Sequence, residues 1–181
     1  VPLRVPSEIA NQAETSGRDI WMVQFNLDKV SPFLQAAKEG NTADVEKAIK
    51  AGMAAQTVDE DGVSSLMMAV MGGNVDTSRV LLAKNVEVDY AEPHSGRTAL
   101  MFAAQGSNAQ LVEMLLAAKA DPAKVDKEAT SALMWAAVAG RLDNAKLLGA
   151  VCGQDKKNKE GLNAKAIAEK MGHAEVAAVL A

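Results

Sequence analysis

One cysteine, Cys152, and two histidines, His94 and His173, are the side chains in this sequence most apt for nucleophilic or general acid–base work. A thiol becomes an effective nucleophile when an imidazole within hydrogen-bond reach takes its proton, in a site that excludes water. Such a pair is hard to assemble here. His94 stands in a turn-forming stretch, Pro93-His94-Ser95-Gly96, and a segment of helical character separates Cys152 from His173. Nor can one cysteine and two scattered histidines furnish the ligand shell of a structural zinc. Cys152 therefore reads as a small buried residue or an isolated reactive thiol, His173 as a surface or helix-capping residue, and His94 not as a metal ligand. Gly72-Gly73 and Gly149 lack the spacing of a phosphate-binding loop and read as helix stops. The methionines at 67, 68, 71, 101 and 134 would suit a soft metal or a pliable binding stripe, but most recur at one register, which favours core packing. Catalytic residues, cofactors and metals are not expected.

Composition bounds the elements that must position these groups. With 181 residues, 49% hydrophobic and 23% charged, the chain can bury the core of an ordinary domain and is not globally disordered. Aromatics make up only 3%, against nine methionines, which suits close-packed helices built from small and unbranched side chains. Nineteen basic against 23 acidic residues give a net charge of −4, with no electrostatic footprint for nucleic acid. Charges interrupt every apolar stretch before it reaches the length of a membrane span. Cys152 alone cannot close an intramolecular disulfide. The start at Val1 rather than Met suggests a processed chain or a fragment, and leaves the compartment open between the cytoplasm and an organelle interior, plastid or mitochondrion.

A repeat organises the rest. Ser31-Pro32-Phe33-Leu34-Gln35-Ala36-Ala37 aligns with Ser64-Ser65-Leu66-Met67-Met68-Ala69-Val70, Thr98-Ala99-Leu100-Met101-Phe102-Ala103-Ala104 and Ser131-Ala132-Leu133-Met134-Trp135-Ala136-Ala137. The leading hydroxyls are spaced by 33, 34 and 33 residues, and a weaker copy starts 32 residues later at Asn163. Ser31, Ser64, Thr98, Ser131 and Asn163 are predicted N-caps, because their side chains can accept from the free N–H groups of a first turn. Gly40, Gly73, Gly140 and Gly172, nine residues on, are predicted stops; Gly106 comes one residue early. A second apolar segment follows, with Val45/Ile49, Leu81, Leu111/Leu115, Leu147/Leu148 and Val176/Leu180 at roughly helical spacing. Polar turns around Asp59–Gly62, Pro93–Gly96, Asp126–Ala129 and Asn158–Gly161 read as projecting hairpin tips. Val151, at the position of Gly52 and Asn85, would be strained at positive φ, so the fourth loop is expected to be irregular. Lys165 replaces an interior leucine, marking the last copy as a cap.

These motifs resemble the ankyrin repeat, which runs Asp-x-x-Gly-x-Thr-Pro-Leu-His-x-Ala-Ala and then glycine and an outer helix over about 33 residues. The resemblance covers residues 26–181, divided as 26–58, 59–92, 93–125, 126–157 and 158–181, with 1–25 as an extension. The family's histidine becomes Leu34, Met67, Met101, Met134 and Ala166, replacing an inter-repeat polar contact with a packing column. The resemblance implies an all-α solenoid acting as a non-enzymatic protein-binding module. Its contact residues would be the fingertips Glu60, Asp61, His94, Arg97, Lys127 and Glu128, and the groove residues Met71, Gln105 and Val138. Met171 falls on the same groove face. The acidic tip Asp59-Glu60-Asp61 and the basic run Lys156-Lys157-Asn158-Lys159 are either solvated or orient a long partner. In the extension, Trp21 and Phe25 either cover the flank of the first repeat or form a docking arm. The alternative function is a permanent structural subunit of a large organellar membrane complex, photosynthetic or respiratory, docked partly through Trp21 and Phe25.

Overall fold

The computed structural model describes residues 32–152 and 156–180. The expected roles of Ser31, Trp21 and Phe25 lie outside the described residues. Among the described residues ten helices occur in five pairs. The inner helices are α1 (residues 32–39), α3 (Ser65–Met71), α5 (Ala99–Gln105), α7 (Ala132–Val138) and α9 (Ala164–Lys170). The outer helices are α2 (Thr42–Lys50), α4 (Val75–Leu82), α6 (Ala109–Ala117), α8 (Leu142–Gly149) and α10 (Ala174–Val179). Inner helices α3, α5, α7 and α9 pack in file, as do the outer helices α2 to α10, so each pair buries its apolar sides against its neighbours. Among the described residues no strand forms; three isolated antiparallel bridges, Val58 with Ser64, Ala91 with Thr98 and Val125 with Ser131, close the bases of the projecting fingers. The fold is an all-α solenoid. No helix among the described residues is long and apolar enough to cross a membrane.

Local chemistry sets the helix ends. The side chains of Ser64, Ser131 and Asn163 accept from the N–H groups of Met67, Met134 and Ala166 at 3.3, 3.4 and 2.9 Å. Thr98 departs from this expectation and makes no side-chain cap; its carbonyl instead accepts from Met101 and Phe102. Gly106 ends α5 as expected, but in another conformation. At φ −68° and ψ 170° it leaves α5 in extended backbone, without the left-handed step taken by Gly140 at φ +65°. Gly149 is the last residue of α8, and Ala150 rather than Gly149 is its cap. The fourth loop is indeed different. Lys119 takes φ +67°, whereas Val151 stays out of that region, as a β-branched residue must, and Cys152 N–H bonds to Leu148 in a tighter turn than the one from Ala120 N–H to Leu115.

The core is the leucine–methionine layer of the inner helices. Met67, Met101 and Met134 are at most 1% exposed, beside equally buried Leu66, Leu100 and Leu133, so the methionine column packs as expected. Each such burial contributes roughly 1.5–3 kcal/mol. Polar links between pairs survive without the family histidine, at residues seven to ten positions further along. Asn74 Nδ2 donates to the carbonyls of Ala37 and Lys38, and Asn144 Nδ2 to those of Ala103, Ala104 and Gly106. His173 Nε2 lies 3.2 Å from the Val138 carbonyl, consistent with a capping role. Each link reaches carbonyls at the end of an inner helix, among them those of Lys38, Ala104 and Val138.

Candidate functional site

The fingers are self-braced by one side chain each. Asp59 Oδ1 accepts from the N–H groups of Asp61 and Val63, Asp126 Oδ1 from Glu128 and Thr130, and Asn158 Oδ1 from Glu160 and Leu162. The third finger holds the extra residue of the 34-residue spacing, and there the longer Glu92 does the same work for His94, Ser95 and Arg97. A carboxylate one methylene longer spans a loop one residue longer. Burial raises the Glu92 carboxyl pKa, but the Ser95 hydroxyl and the N–H groups of Arg97, Ser95 and His94 outweigh that and hold it below the usual value.

Behind the fingers, α7 and α9 floor a trough of about 610 Å³. Trp135, Val138, Leu162, Ile167 and Met171 supply its apolar surface; Lys127, Glu128, Lys159 and Lys170 stand on its rim. One wall is held by an aromatic–cation stack. The Arg97 guanidinium lies 4.1 Å from the Phe102 ring centroid and 4.0 Å from that of Trp135. Its Nη2 donates to Gln105 Oε1 at 2.7 Å, while Trp135 Nε1 donates to Asp126 Oδ2 at 3.0 Å. Burial lowers the Arg97 pKa and the nearby Asp126 and Glu92 carboxylates raise it, so the cation persists between the rings. Arg97 Nε is buried with no acceptor among the described residues. This stack fixes the plane of Trp135, and so the shape of the trough.

The expected contact residues distribute unevenly. His94, Arg97, Lys127, Glu128 and Val138 all border the trough, and Gln105 holds Arg97. Asp61 sits on the preceding finger, 3.6 Å from His94 Nε2, with exposed Glu60 beside it. Met71, 50% exposed at the end of α3, is not among the trough-lining residues. Trp21 and Phe25 lie outside the described residues. Sequence reasoning treated Trp135 only as part of the repeat motif, although the fourth position after the cap carries a signal. Met68, Phe102, Trp135 and Ile167 are large at that position, between methionine or alanine neighbours that stay nearly constant and, Ala166 apart, are buried.

The chemistry of this face is that of contact. Cys152 and His173 do not meet: the thiol points to the Pro122 carbonyl at 3.5 Å and the imidazole to Val138. Burial pushes the Cys152 thiol up to about 11, with Lys156 opposing and Asp121 adding to the rise, so it is protonated at neutral pH. Among the described residues no three His, Cys, Asp or Glu side chains converge to hold a metal.

Residues 33–126, just over half of the chain, match the family model described as ankyrin repeats in three copies. The ankyrin repeat and KH domain-containing protein mask-1 of Caenorhabditis elegans is 30% identical over 115 residues, 64% of this chain and 4% of that protein. A putative ankyrin repeat-containing protein of Treponema pallidum is 32% identical over 112 residues, 62% of this chain and 37% of its own length. The ankyrin repeat, SAM and basic leucine zipper domain-containing protein 1 of Echinops telfairi is 32% identical over 118 residues, 62% of this chain and 24% of its own length. The chain thus spans well under half the length of these relatives. Ankyrin repeats are non-enzymatic modules that generally mediate protein–protein interaction. With the family pattern matched over more than half of its length and the helix pairs stacked in the same order, this chain belongs to the ankyrin-repeat family.

Proposed function

We propose that this chain is a protein-binding module that holds its partner along the concave face and fingertips, with repeats dividing near residues 58, 92, 125 and 157. The observation that carries this is the trough over α7 and α9. A cavity of about 610 Å³ with a tryptophan wall and an apolar floor matches the pocket in which an anchoring side chain of a partner is desolvated. Polar fingertips Glu60, Asp61, His94, Lys127 and Glu128 surround it as a wet rim, suited to orientation and association rate more than to affinity. The alternative of a permanent organellar subunit rests on Trp21 and Phe25, and no observation on the described residues favours it.

The test compares two variants in affinity capture from the source cells. Val138→Glu with Met171→Glu places carboxylates on the trough floor, whereas Arg79→Glu alters the exposed surface of α4. Partners retained by the wild type and by Arg79→Glu should be lost from the double variant, with helix content unchanged by circular dichroism. Equal retention by all three would refute the concave-face assignment.

A further inference from the structure

The finger row carries a charge order that the trough alone does not explain. The second finger presents Asp59, Glu60 and Asp61; Asp61 is 77% exposed at its side chain. The fifth presents Lys156, Lys157 and Lys159, all exposed, with Glu160 as its acidic member. Between them the signs are mixed, and there and on the fifth finger itself several charges are engaged. Lys127 Nζ donates to the Pro93 carbonyl at 2.6 Å, Lys156 Nζ to the Ala123 carbonyl at 2.9 Å, Lys159 lies 3.6 Å from Glu128, and Lys170 pairs with Glu160 at 2.9 Å. The apolar floor of Trp135, Val138, Ile167 and Met171 lies in the fourth and fifth pairs, nearer the basic end of the row.

We propose that this face takes an extended partner segment of segregated charge: basic where it meets the second finger, carrying a bulky apolar side chain over Trp135, and acidic where it meets the fifth. This rests on the concave-face reading and supplies its chemistry. Three interaxial steps of 8–10 Å separate the second and fifth fingers, about 24–30 Å in all. An extended chain rising about 3.3 Å per residue covers that in about seven to nine residues. A uniformly acidic segment, or a nucleic-acid backbone, meets like charge at the second finger; a uniformly basic one meets it at the fifth. Only the ordered segment is attracted at both ends, and the apolar anchor sits closer to its acidic end.

The probe is a random displayed peptide library about twelve residues long, enough to cover that span, selected on the full chain. Wild type should enrich peptides that run from basic residues through an aromatic or long aliphatic residue to carboxylates. The variant Lys156→Glu, Lys157→Glu, Lys159→Glu should keep the anchor and the basic end and lose the acidic end. A wild-type-selected peptide should bind that variant about tenfold more weakly at low salt, with the gap closing as salt is added. Selection of peptides without charge order, the same peptides from both proteins, or no enrichment would overturn the proposal. Unordered peptides that Val138→Glu, Met171→Glu fails to bind would leave the concave-face reading standing, whereas peptides that this variant still binds would sink both.

Discussion

Replacing Asn144 by alanine removes one short amide that ties α8 to the end of α5. Asn144 is 2% exposed, and its Nδ2 lies 2.9 Å from the carbonyls of Ala104 and Gly106 and 3.2 Å from that of Ala103. Two N–H groups serve three acceptors. Ala104 is buried at 0% exposure, so its carbonyl finds no water when the amide goes, while the Ala103 carbonyl keeps the Gly106 N–H at 3.0 Å and half-buried Gly106 reaches water. A buried acceptor left unpaired costs about 1–3 kcal/mol, and Asn144→Ala is expected to lose that much. In a stacked-repeat protein that loss falls on the interface between the third and fourth pairs. The assay is urea denaturation followed by circular dichroism: the midpoint falls, and the slope falls too where the two halves uncouple. Asn144→Asp sharpens the test, because a carboxylate facing three carbonyls is repelled and its pKa in the folded state is raised. The penalty is then full above that raised pKa and fades as pH drops through it, so Asn144→Asp should gain on Asn144→Ala with acidification. A loss below about 0.5 kcal/mol for Asn144→Ala would refute the reasoning, the hydrogen bonds then contributing less than their ordinary net worth.

Two further expectations follow from the same geometry. The folded-state pKa of Glu92 is depressed, so its contribution is present above the ordinary carboxylate pKa and is lost as pH falls through the folded value. Glu92→Gln should lose about 1–2 kcal/mol at neutral pH, because its amide turns a donor toward N–H groups. That deficit should shrink in denaturation curves taken at progressively lower pH, and a pH-independent deficit would contradict it. Cys152, raised from 9.0 to about 11, should react with iodoacetamide about 100-fold more slowly at pH 8 than an unperturbed thiol, and at the ordinary rate once urea unfolds the chain. Fast alkylation of the native protein would show the thiol to be less buried.

Much of the fold was legible because its signals act within one repeat. The caps at Ser64, Ser131 and Asn163 and the glycine at 140 each bond or bend within a few residues of themselves, so spacing alone locates them. Thr98 was misjudged as a side-chain cap by the same logic, and Gly106 stops its helix without the left-handed step: the third copy has its own loop length, and both ends of its inner helix close differently. The candidate site was legible in part. Six of the residues expected at the fingertips or on the groove face border one trough, yet Trp135, which shapes it, was hidden inside the repeat motif.

Composition and period by themselves determined that this chain stacks helix pairs around a methionine and leucine column, since apolar spacing dictates which side of each helix must be covered. Only the tertiary structure decided what crosses from one pair to the next. Arg97 slots between Phe102 of its own helix and Trp135 of the following one, and Asn144 reaches carbonyls some forty residues earlier. Such contacts depend on the rise and rotation between neighbouring pairs, quantities that packing sets and that no single repeat encodes.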